Sequence, residues 1–597
     1  MAKKIRIGGA TGYWGESMMG TPQFLAAGDM DYIVYDFLAE ITMSIMARAR
    51  QANPDMGYAT DFISGVLKPN LAEIAGQGVK IISNAGGVNP EACAAAAREL
   101  VAAQNLDLKI AVVTGDDLIS RAKELAAADV REMFSGAGFP DPAQMASINA
   151  YLGAFPIAAA LDAGADIVIT GRAVDSAVTL GACIHEFGWM VDDFDCLAGG
   201  SLAGHIIECG PQSTGGNFTD WSDVPDMAAI GYPVVEIDRD GGFICTKPDA
   251  TGGLVNIGTV AEQMLYEIGD PQTYILPDVT CDFSQVTLTQ NGKDRVRVTG
   301  AKGRPAPAQY KVSATYAEGF KAGTMVSFTG IEADKKAAHF ADGVLARCRE
   351  IFRQKNQPDF EETSIEVLGA ESQYGAAAKP GDCREVVLKI AVKHEDIKAA
   401  GLLLRQLNGM ALATPPGLAL FGGSRAKPSP VVRLFSFLID QKDVPVRIKL
   451  EDQAVAYQPG VTKMSAELAR PDAPVIDAIS PEDMIKVPLI KLAWGRSGDK
   501  GNKANIGIIA RDPAYLPYIW AALDEPTIRQ QFAHFLDADS GIDRYYLPGS
   551  HAMNIVMHEV LGGGGVASLR ADPQGKAYAQ ILLDHPIAVT REMGEKL

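Results

Sequence analysis

Five short apolar runs punctuate the first 176 residues, and each breaks at its C-terminal end into glycine and small polar residues before a helix-like stretch begins. Residues 5–7 run into Gly8-Gly9-Ala10-Thr11, residues 32–35 into Asp36, residues 79–82 into Ser83-Asn84-Ala85-Gly86-Gly87, residues 109–113 into Thr114-Gly115-Asp116-Asp117, and residues 166–169 into Thr170-Gly171-Arg172. Helical stretches such as 91–104, alanine-rich and opened by Pro90, and 118–127 lie between them. The alternation predicts an α/β fold in which residues 1–220 form a Rossmann-like domain with a doubly wound, mostly parallel sheet. In such a sheet the loops at the carboxyl ends of the strands converge, and the crevice where strand order reverses takes the ligand. A small-molecule site is therefore expected at these breaks.

From residue 232 to 330 the pattern changes to short β-like runs at 232–237, 287–288, 296–299, 309–314 and 324–328, separated by Gly, Pro and Asn turns. Helical segments return at 335–355 and 395–407, with another β-like run at 383–392, so residues 221–468 read as an α+β domain. Pro471, Pro474 and Pro481 among small and acidic residues mark 469–486 as a linker. Beyond it, β-like runs at 487–494 and 505–510 flank the polar stretch Gly495-Arg496-Ser497-Gly498-Asp499-Lys500-Gly501-Asn502, read as a loop. Helices are expected at 514–522, 527–536 and 553–561 and strands at 544–547 and 577–583, giving an α+β module over 487–597.

A chain of 597 residues exceeds a single core. The amino terminus enters a strand with no apolar leader, and no run of about 18 apolar residues follows, so a cytoplasmic protein without a membrane partner is expected. Eight cysteines are scattered without a CxxC pair, which suggests neither a disulfide framework nor a thiolate metal site. A net charge of −19 repels nucleic acid. A homo-oligomer is the default for a large metabolic α/β protein.

The opening glycines are spaced GGxxGxxG and depart from the GxGxxG dinucleotide fingerprint, although Asp36 stands about where a ribose-binding acid would. Gly9 and Thr11 either shape a tight turn or line a ligand. Asn84, Gly86, Asp116, Arg172 and Asp175 fall at strand ends. The aspartates suit helix caps as well as a site, and Arg172 suits either a bound carboxylate or phosphate or an ion pair with Asp175. If 202–209 is helical, His205, Glu208 and Cys209 share a face at i, i+3 and i+4. That trio could hold a metal, supply an acid/base pair, activate a thiol or simply be buried. The following Gln212, Thr214, Gly215 and Asn217 either end a helix or cradle an oxyanion. His185 is a possible second imidazole, His551 and His558 are read as flanking a helix beside Gly562–Gly565, and Asp499, Lys500 and Asn502 are read as solvated turn residues.

These segments resemble the acyclic terpene utilisation protein A (AtuA) family. The carriers are Ile7-Gly8-Gly9-Ala10-Thr11-Gly12 with Trp14-Gly15, Asn84 through Pro90, Thr170-Gly171-Arg172 with Asp175-Ser176, Ala203 through Gly216, and Gly258-Thr259-Val260 with Glu262-Gln263-Leu265-Tyr266-Glu267. The last module resembles the ferredoxin-like domain that ends longer members, through Gly495 to Asn502 and Asn554 to Gly565. The resemblance implies a catabolic enzyme acting on a branched acyl-CoA thioester or related carboxylic acid by lyase or hydratase chemistry. From the residues themselves, His205, Glu208, Cys209 and Asp175 stand as catalytic candidates, with Gly9, Thr11, Asn84, Gly86, Asp116, Arg172, Gln212, Thr214, Gly215 and Asn217 as ligand-binding ones; the resemblance carries over no catalytic assignment. Coenzyme A is expected only as part of the substrate, with Lys302, Arg304, Arg425 and Lys427 as candidates for its anionic end. The alternatives are a hydrolase or metal-dependent enzyme on a non-CoA acid, and a non-catalytic subunit.

Overall fold

The computed structural model describes residues 3–379, 381–420, 426–460, 468–475 and 483–597. Its first six strands are β1 (Lys4–Gly9), β2 (Tyr32–Tyr35), β3 (Lys80–Ser83), β4 (Ile110–Thr114), β5 (Met145–Ala150) and β6 (Ile167–Thr170). Five of them form a parallel sheet in the order β1-β2-β3-β6-β4. Helices α1 (Gly20–Ala27), α2 (Glu40–Ala52), α3 (Lys68–Gln77) and α4 (Pro90–Ala103) cover one face. After the short α5 (Ala122–Ala127), α6 (Phe155–Asp162), α7 (Ala177–Phe187) and α8 (Phe194–Ile207) cover the other. Ile33, Tyr35, Ile81, Val112 and Ile169 pack with the first set, and Tyr32, Val34, Ile82, Val113 and Val168 with the second. Consecutive side chains thus enter opposite cores, which is why the runs read as continuously apolar instead of alternating.

The chain steps from β1 to β2 to β3, passes one position to reach β4, and returns to insert β6 between β3 and β4. This reversal sends the connections after β3 and β6 to opposite faces and opens a crevice at their carboxyl ends. Antiparallel strands extend the sheet on both sides, beginning with β7 (Val234–Asp238) beside β1 and with Arg447–Leu450 beside β4.

In the middle region, the two runs expected at 309–314 and 324–328 are one strand, Gln309–Thr329, kept continuous by pairing with Ser429–Asp440 and Glu385–His394. It also pairs with β5, a strand the sequence pattern does not announce. Helices Ala333–Lys355 and Ile397–Gly409 cover this second sheet, and no helix among the described residues is long and apolar enough to cross a membrane.

The C-terminal region is a four-stranded antiparallel sheet of Ala493–Lys500, Lys503–Ala510, Ala552–Met557 and Ile542–Leu547, in that spatial order. Three local expectations change here. Gly495 to Lys500 is strand, because its backbone pairs along its whole length with residues 503–508. The helix expected over 553–561 is instead strand Ala552–Met557, a central strand whose two faces are both buried and which therefore lacks alternation. The strand expected at 577–583 is helix Tyr578–Leu583, whose leucine and isoleucine side chains fill the core under the sheet. Ahead of the sheet, Met484–Pro488 pairs with Pro586–Thr590, and residues 476–482 of the expected linker lie outside the described residues.

One face of this sheet carries Ile506, Ile508, Met553 and Ile555 into its own core, while Ile509, Leu547 and Ala552 join the core of the Rossmann-like region. The docking partner is α9 (Ile257–Leu265), begun by an Asn256 capping box. Gly507 lies so close that a β-carbon there would sit 2.4 Å from Leu265 Cβ. Asn505 Nδ2 donates to the Leu265 carbonyl at 2.6 Å, Asn554 Nδ2 donates to the Ile268 carbonyl at 2.9 Å, and Asp220 accepts from Trp494 Nε1 at 2.8 Å and Arg511 Nη1 at 2.7 Å.

Candidate functional site

The crevice is built from strand ends. Asn84, one residue past β3, donates from Nδ2 to Asp36 Oδ1 at 2.5 Å and accepts the Phe37 N–H on Oδ1 at 2.8 Å, so it ties the ends of β2 and β3 together. Asp116, past β4, accepts from Asn149 Nδ2 at 2.8 Å and from the Arg172 N–H at 2.9 Å. Gly171 allows this approach, since a β-carbon there would lie 2.3 Å from Asp116 Oδ1. Burial pushes the Asp116 carboxyl up to about 7, the two N–H donors notwithstanding.

Arg172, past β6, is only 4 % exposed, and its uses are internal. Nη1 donates to Asp175 Oδ1 at 2.7 Å and to the Leu38 carbonyl at 2.9 Å, and the guanidinium lies 4.1 Å from the Tyr151 ring centroid. The Tyr151 hydroxyl in turn donates to Glu40 Oε1 at 2.7 Å, and Lys311 Nζ lies 4.0 Å from the same oxygen. Burial opposes ionisation of Glu40, but Lys311, Arg172 and the Tyr151 hydroxyl outweigh it and hold the carboxyl down at about 2.

Helix α8 delivers the His-Glu pair from the opposite face. Gly204 in this helix packs on Ser176, where a β-carbon would be 2.8 Å from the Ser176 Cα. The helix terminates at the residues that matter: His205 Nδ1 and Glu208 Oε1 are 2.9 Å apart, and Gln263 Nε2 on α9 donates to the His205 carbonyl at 2.9 Å. His205 is 1 % exposed in its side chain and Glu208 12 %, so Glu208 is the member of the pair that a ligand can reach. Burial raises the Glu208 carboxyl, the His205 contact pulls it back, and the Asp175 charge raises it again. Asp36 is likewise pushed well up, by burial first and by Asp175 second. Cys209 follows the pair outside the helix, and burial together with Glu208 and Glu267 pushes its thiol well up, which disfavours the thiolate.

Lys500 completes the recess from the C-terminal sheet. It sits at the tip of the Ala493–Lys500 strand and is exposed, and its ammonium makes no hydrogen bond or ion pair within 4 Å among the described residues. Protein surrounds the recess deeply enough that burial opposes its charge. The Tyr274 hydroxyl and the carboxylates of Glu267, Asp175 and Glu208 more than restore it, and the ammonium is held well above its ordinary range. The neighbouring Asp499 is held differently, at 2.9 Å from Lys576 Nζ, which also donates to Glu267 at 2.6 Å.

The structure therefore gathers Asn84, Asp36, Arg172, Asp175, His205 and Glu208 with Asp116 close behind. Gly9, Thr11 and Gly86 stand at the rim as packing elements. A β-carbon on Gly9 would meet the Ile207 carbonyl at 2.4 Å, and one on Gly86 the Thr170 carbonyl at 2.5 Å. Thr11 Oγ1 donates within its own loop, and the Gly12 N–H goes to Glu16 at 2.6 Å. Helix α1 starts only at Gly20, so no helix N-terminus follows these glycines directly. In the 210–217 turn the Gly215 N–H goes to the Gln212 carbonyl at 3.3 Å and the Gly216 N–H to the Pro211 carbonyl at 2.8 Å, while Thr214 Oγ1 reaches the Pro211 carbonyl at 3.0 Å and, outside the turn, the Gly231 carbonyl at 2.6 Å. The Gln212 side chain and the Asn217 carbonyl accept from Arg496. His185 pairs with Asp162 at 2.6 Å, and His558, on no helix, with Asp543 at 2.7 Å. Among the described residues, no group of three or more His, Cys, Asp or Glu side chains is arranged to hold a metal ion. Lys302 is paired with Asp195 at 2.8 Å, Arg304 donates to the Gln272 carbonyl at 2.8 Å, Lys427 is exposed, and Arg425 lies outside the described residues.

Sequence reasoning missed Glu40, Tyr151, Tyr274, Lys311 and, above all, Lys500. The signal for Lys500 was its place inside Gly495 to Asn502, a long polar stretch with too many small residues to be only a solvated turn. Lys311 carries no local signal, because its neighbours read only as strand.

No curated protein and no solved structure matches the chain. The model of the acyclic terpene utilisation family protein AtuA matches residues 5–450, and that of the AtuA ferredoxin-like domain matches residues 487–588. The motifs that build the crevice lie in the first match and Lys500 in the second, and the chain belongs to the acyclic terpene utilisation family AtuA, with the family's ferredoxin-like domain at its C-terminal end.

Proposed function

We propose that this protein is a cytoplasmic catabolic enzyme that takes a branched acyl thioester, or a related carboxylic acid, through hydration or its lyase reversal. The observation that carries this reading is the Lys500 ammonium, with no carboxylate within 4 Å among the described residues, in a recess it shares with Glu208, the accessible member of its pair, whose carboxyl is raised by burial. In the elimination direction, the Glu208 carboxylate takes the proton from the carbon next to the carbonyl. The electron pair gathers on the carbonyl oxygen, where the Lys500 ammonium stabilises it. The pair then returns to form the carbon–carbon double bond as the β-hydroxyl leaves. That hydroxyl departs as water with the proton Glu208 had taken, which regenerates the carboxylate. His205 positions and tunes Glu208 from behind, and Arg172 with Asp175 fixes the floor of the recess.

The His205–Glu208 pair at 2.9 Å also suits activation of water for attack on an acyl carbon, so a hydrolase is the second reading. Incubating the full chain with branched 3-hydroxyacyl and 2-enoyl thioesters and their free acids separates the two by product: an interconverted pair, or a released acid and thiol. Glu208→Gln and Lys500→Ala are each expected to lower kcat by about 10²- to 10⁴-fold with the circular dichroism spectrum unchanged. Full activity in either variant, or no conversion of any of these compounds, rejects the reading.

A further inference from the structure

Tyr274 opens the short strand Tyr274–Ile275, which pairs with Thr280–Asp282. Its ring packs on two aromatic neighbours, His205 with ring centroids 5.9 Å apart and Phe283 at 5.5 Å. The imidazole that reaches Glu208 at 2.9 Å is thus also in contact with the Tyr274 ring, and this places Tyr274 in the wall of the recess. Its hydroxyl has no use inside the protein. Tyr32 donates to Glu186 at 2.6 Å, Tyr151 to Glu40 at 2.7 Å and Tyr232 to Glu16 at 2.8 Å, whereas the Tyr274 hydroxyl makes no hydrogen bond among the described residues and is not sealed from solvent. Buried tyrosine hydroxyls ordinarily find a partner, so one left open at a recess is available to a ligand. Burial keeps it protonated, well above its ordinary range and against the pull of Lys500, so it is a hydrogen-bond donor at neutral pH. Lys500 in turn feels Tyr274 more strongly than it feels Glu267, Asp175 or Glu208.

A neutral donor and a charged one therefore face the same opening, with a carboxylate beside them. Donors fixed in advance stabilise charge that develops during a reaction, because they need not reorganise when it appears. We propose that the Tyr274 hydroxyl is a second oxyanion donor, which together with the Lys500 ammonium binds the acyl oxygen on which negative charge gathers. When Glu208 takes the proton from the carbon next to the carbonyl, the C–H pair becomes the carbon–carbon double bond of an enolate and the carbonyl π pair moves to oxygen. Tyr274 keeps its own proton and donates a hydrogen bond to that oxygen, and the bond loosens as the pair returns. His205 and Phe283 hold the ring throughout. The inference rests on the preceding reading for the identity of the base and adds the second donor; the same two donors would serve the tetrahedral oxyanion of a hydrolase.

Tyr274→Phe in the full chain keeps the ring and removes only an oxygen that bonds to nothing in the protein, so its denaturant midpoint is expected to match the wild type. With a branched 3-hydroxyacyl thioester, kcat is expected to fall about 10²- to 10³-fold while KM stays within about twofold, the mark of an interaction made as charge develops. Exchange of the hydrogen next to the carbonyl for deuterium in heavy water, followed on a saturated branched acyl thioester that has no β-hydroxyl, isolates enolate formation. This exchange is expected to slow by the same factor in Tyr274→Phe. Wild-type exchange in Tyr274→Phe, with Lys500→Ala and Glu208→Gln impaired, overturns the inference and leaves the preceding reading standing. A raised KM at unchanged kcat also overturns it, because Tyr274 then only shapes the recess. If the wild type releases acid and thiol and Tyr274→Phe slows that release, the donor pair stands on a hydrolase and the lyase reading falls. A wild type that neither exchanges nor converts any thioester overturns both.

Discussion

Glu208 sits where opposing influences meet: burial and Asp175 favour its protonated form, and His205 favours the carboxylate. A side chain poised in this way exchanges a proton more readily near neutral pH than an exposed glutamate does. His205 itself is sealed from solvent, with Nε2 buried and unpartnered, so its effect on a reaction runs through Glu208. Replacing it by phenylalanine removes the contact that favours ionisation and raises the Glu208 pKa further. The acidic limb of the kcat/KM profile, which reports ionisation of the base, is then expected to move about one unit toward higher pH. A pH-rate series on His205→Phe checks this, and an unmoved limb removes His205 from its positioning role. The spacing of His205 and Glu208 was legible in the sequence, because i and i+3 on a helix fix their proximity. The closed position of His205 was not, since it depends on Tyr274, whose ring centroid lies 5.9 Å away and whose strand is remote in sequence.

Among the elements, α8 is set by how closely it can approach its neighbours. Gly204 meets the backbone of Ser176, and a methyl group there has no flexible side chain to displace. Gly204→Ala is therefore expected to cost about 1–3 kcal/mol, and to shift the adjacent His205 and Glu208 with the helix. Gly76, in α3, faces open space, since a β-carbon there would meet no atom within 4 Å, so Gly76→Ala is expected to gain about 0.5–1 kcal/mol through helix propensity alone. Denaturant midpoints of the two variants, moving in opposite directions, are the measurement. The parallel strands and α4 follow from periodicity and from Pro90, whereas β5 and strand Ala552–Met557 do not. Both are short runs whose partners, strand Gln309–Thr329 and strand Lys503–Ala510, decide strand over helix.

At the scale of the whole molecule, the recess exists only because the C-terminal sheet docks on α9 and projects Lys500 toward the carboxyl ends of the parallel strands. Gly507 packs tightly in that docking, where a β-carbon would lie 2.4 Å from Leu265 Cβ. Gly507→Val is expected to hold the two regions apart and to lower kcat toward the level of Lys500→Ala, with secondary structure by circular dichroism retained; wild-type kcat in this variant shows that the docking does not govern the site. By itself the sequence determined the βα alternation, the ends of the strands and the helical spacing of His205 with Glu208, because period, capping and glycine punctuation act over a few residues. Tertiary structure alone decided which of those ends share a crevice, that Arg172 is consumed by Asp175 and Leu38, and that Lys500 reaches the same recess. Each of these depends on strand order and on the docking of two regions hundreds of residues apart, and neither leaves a trace in local periodicity.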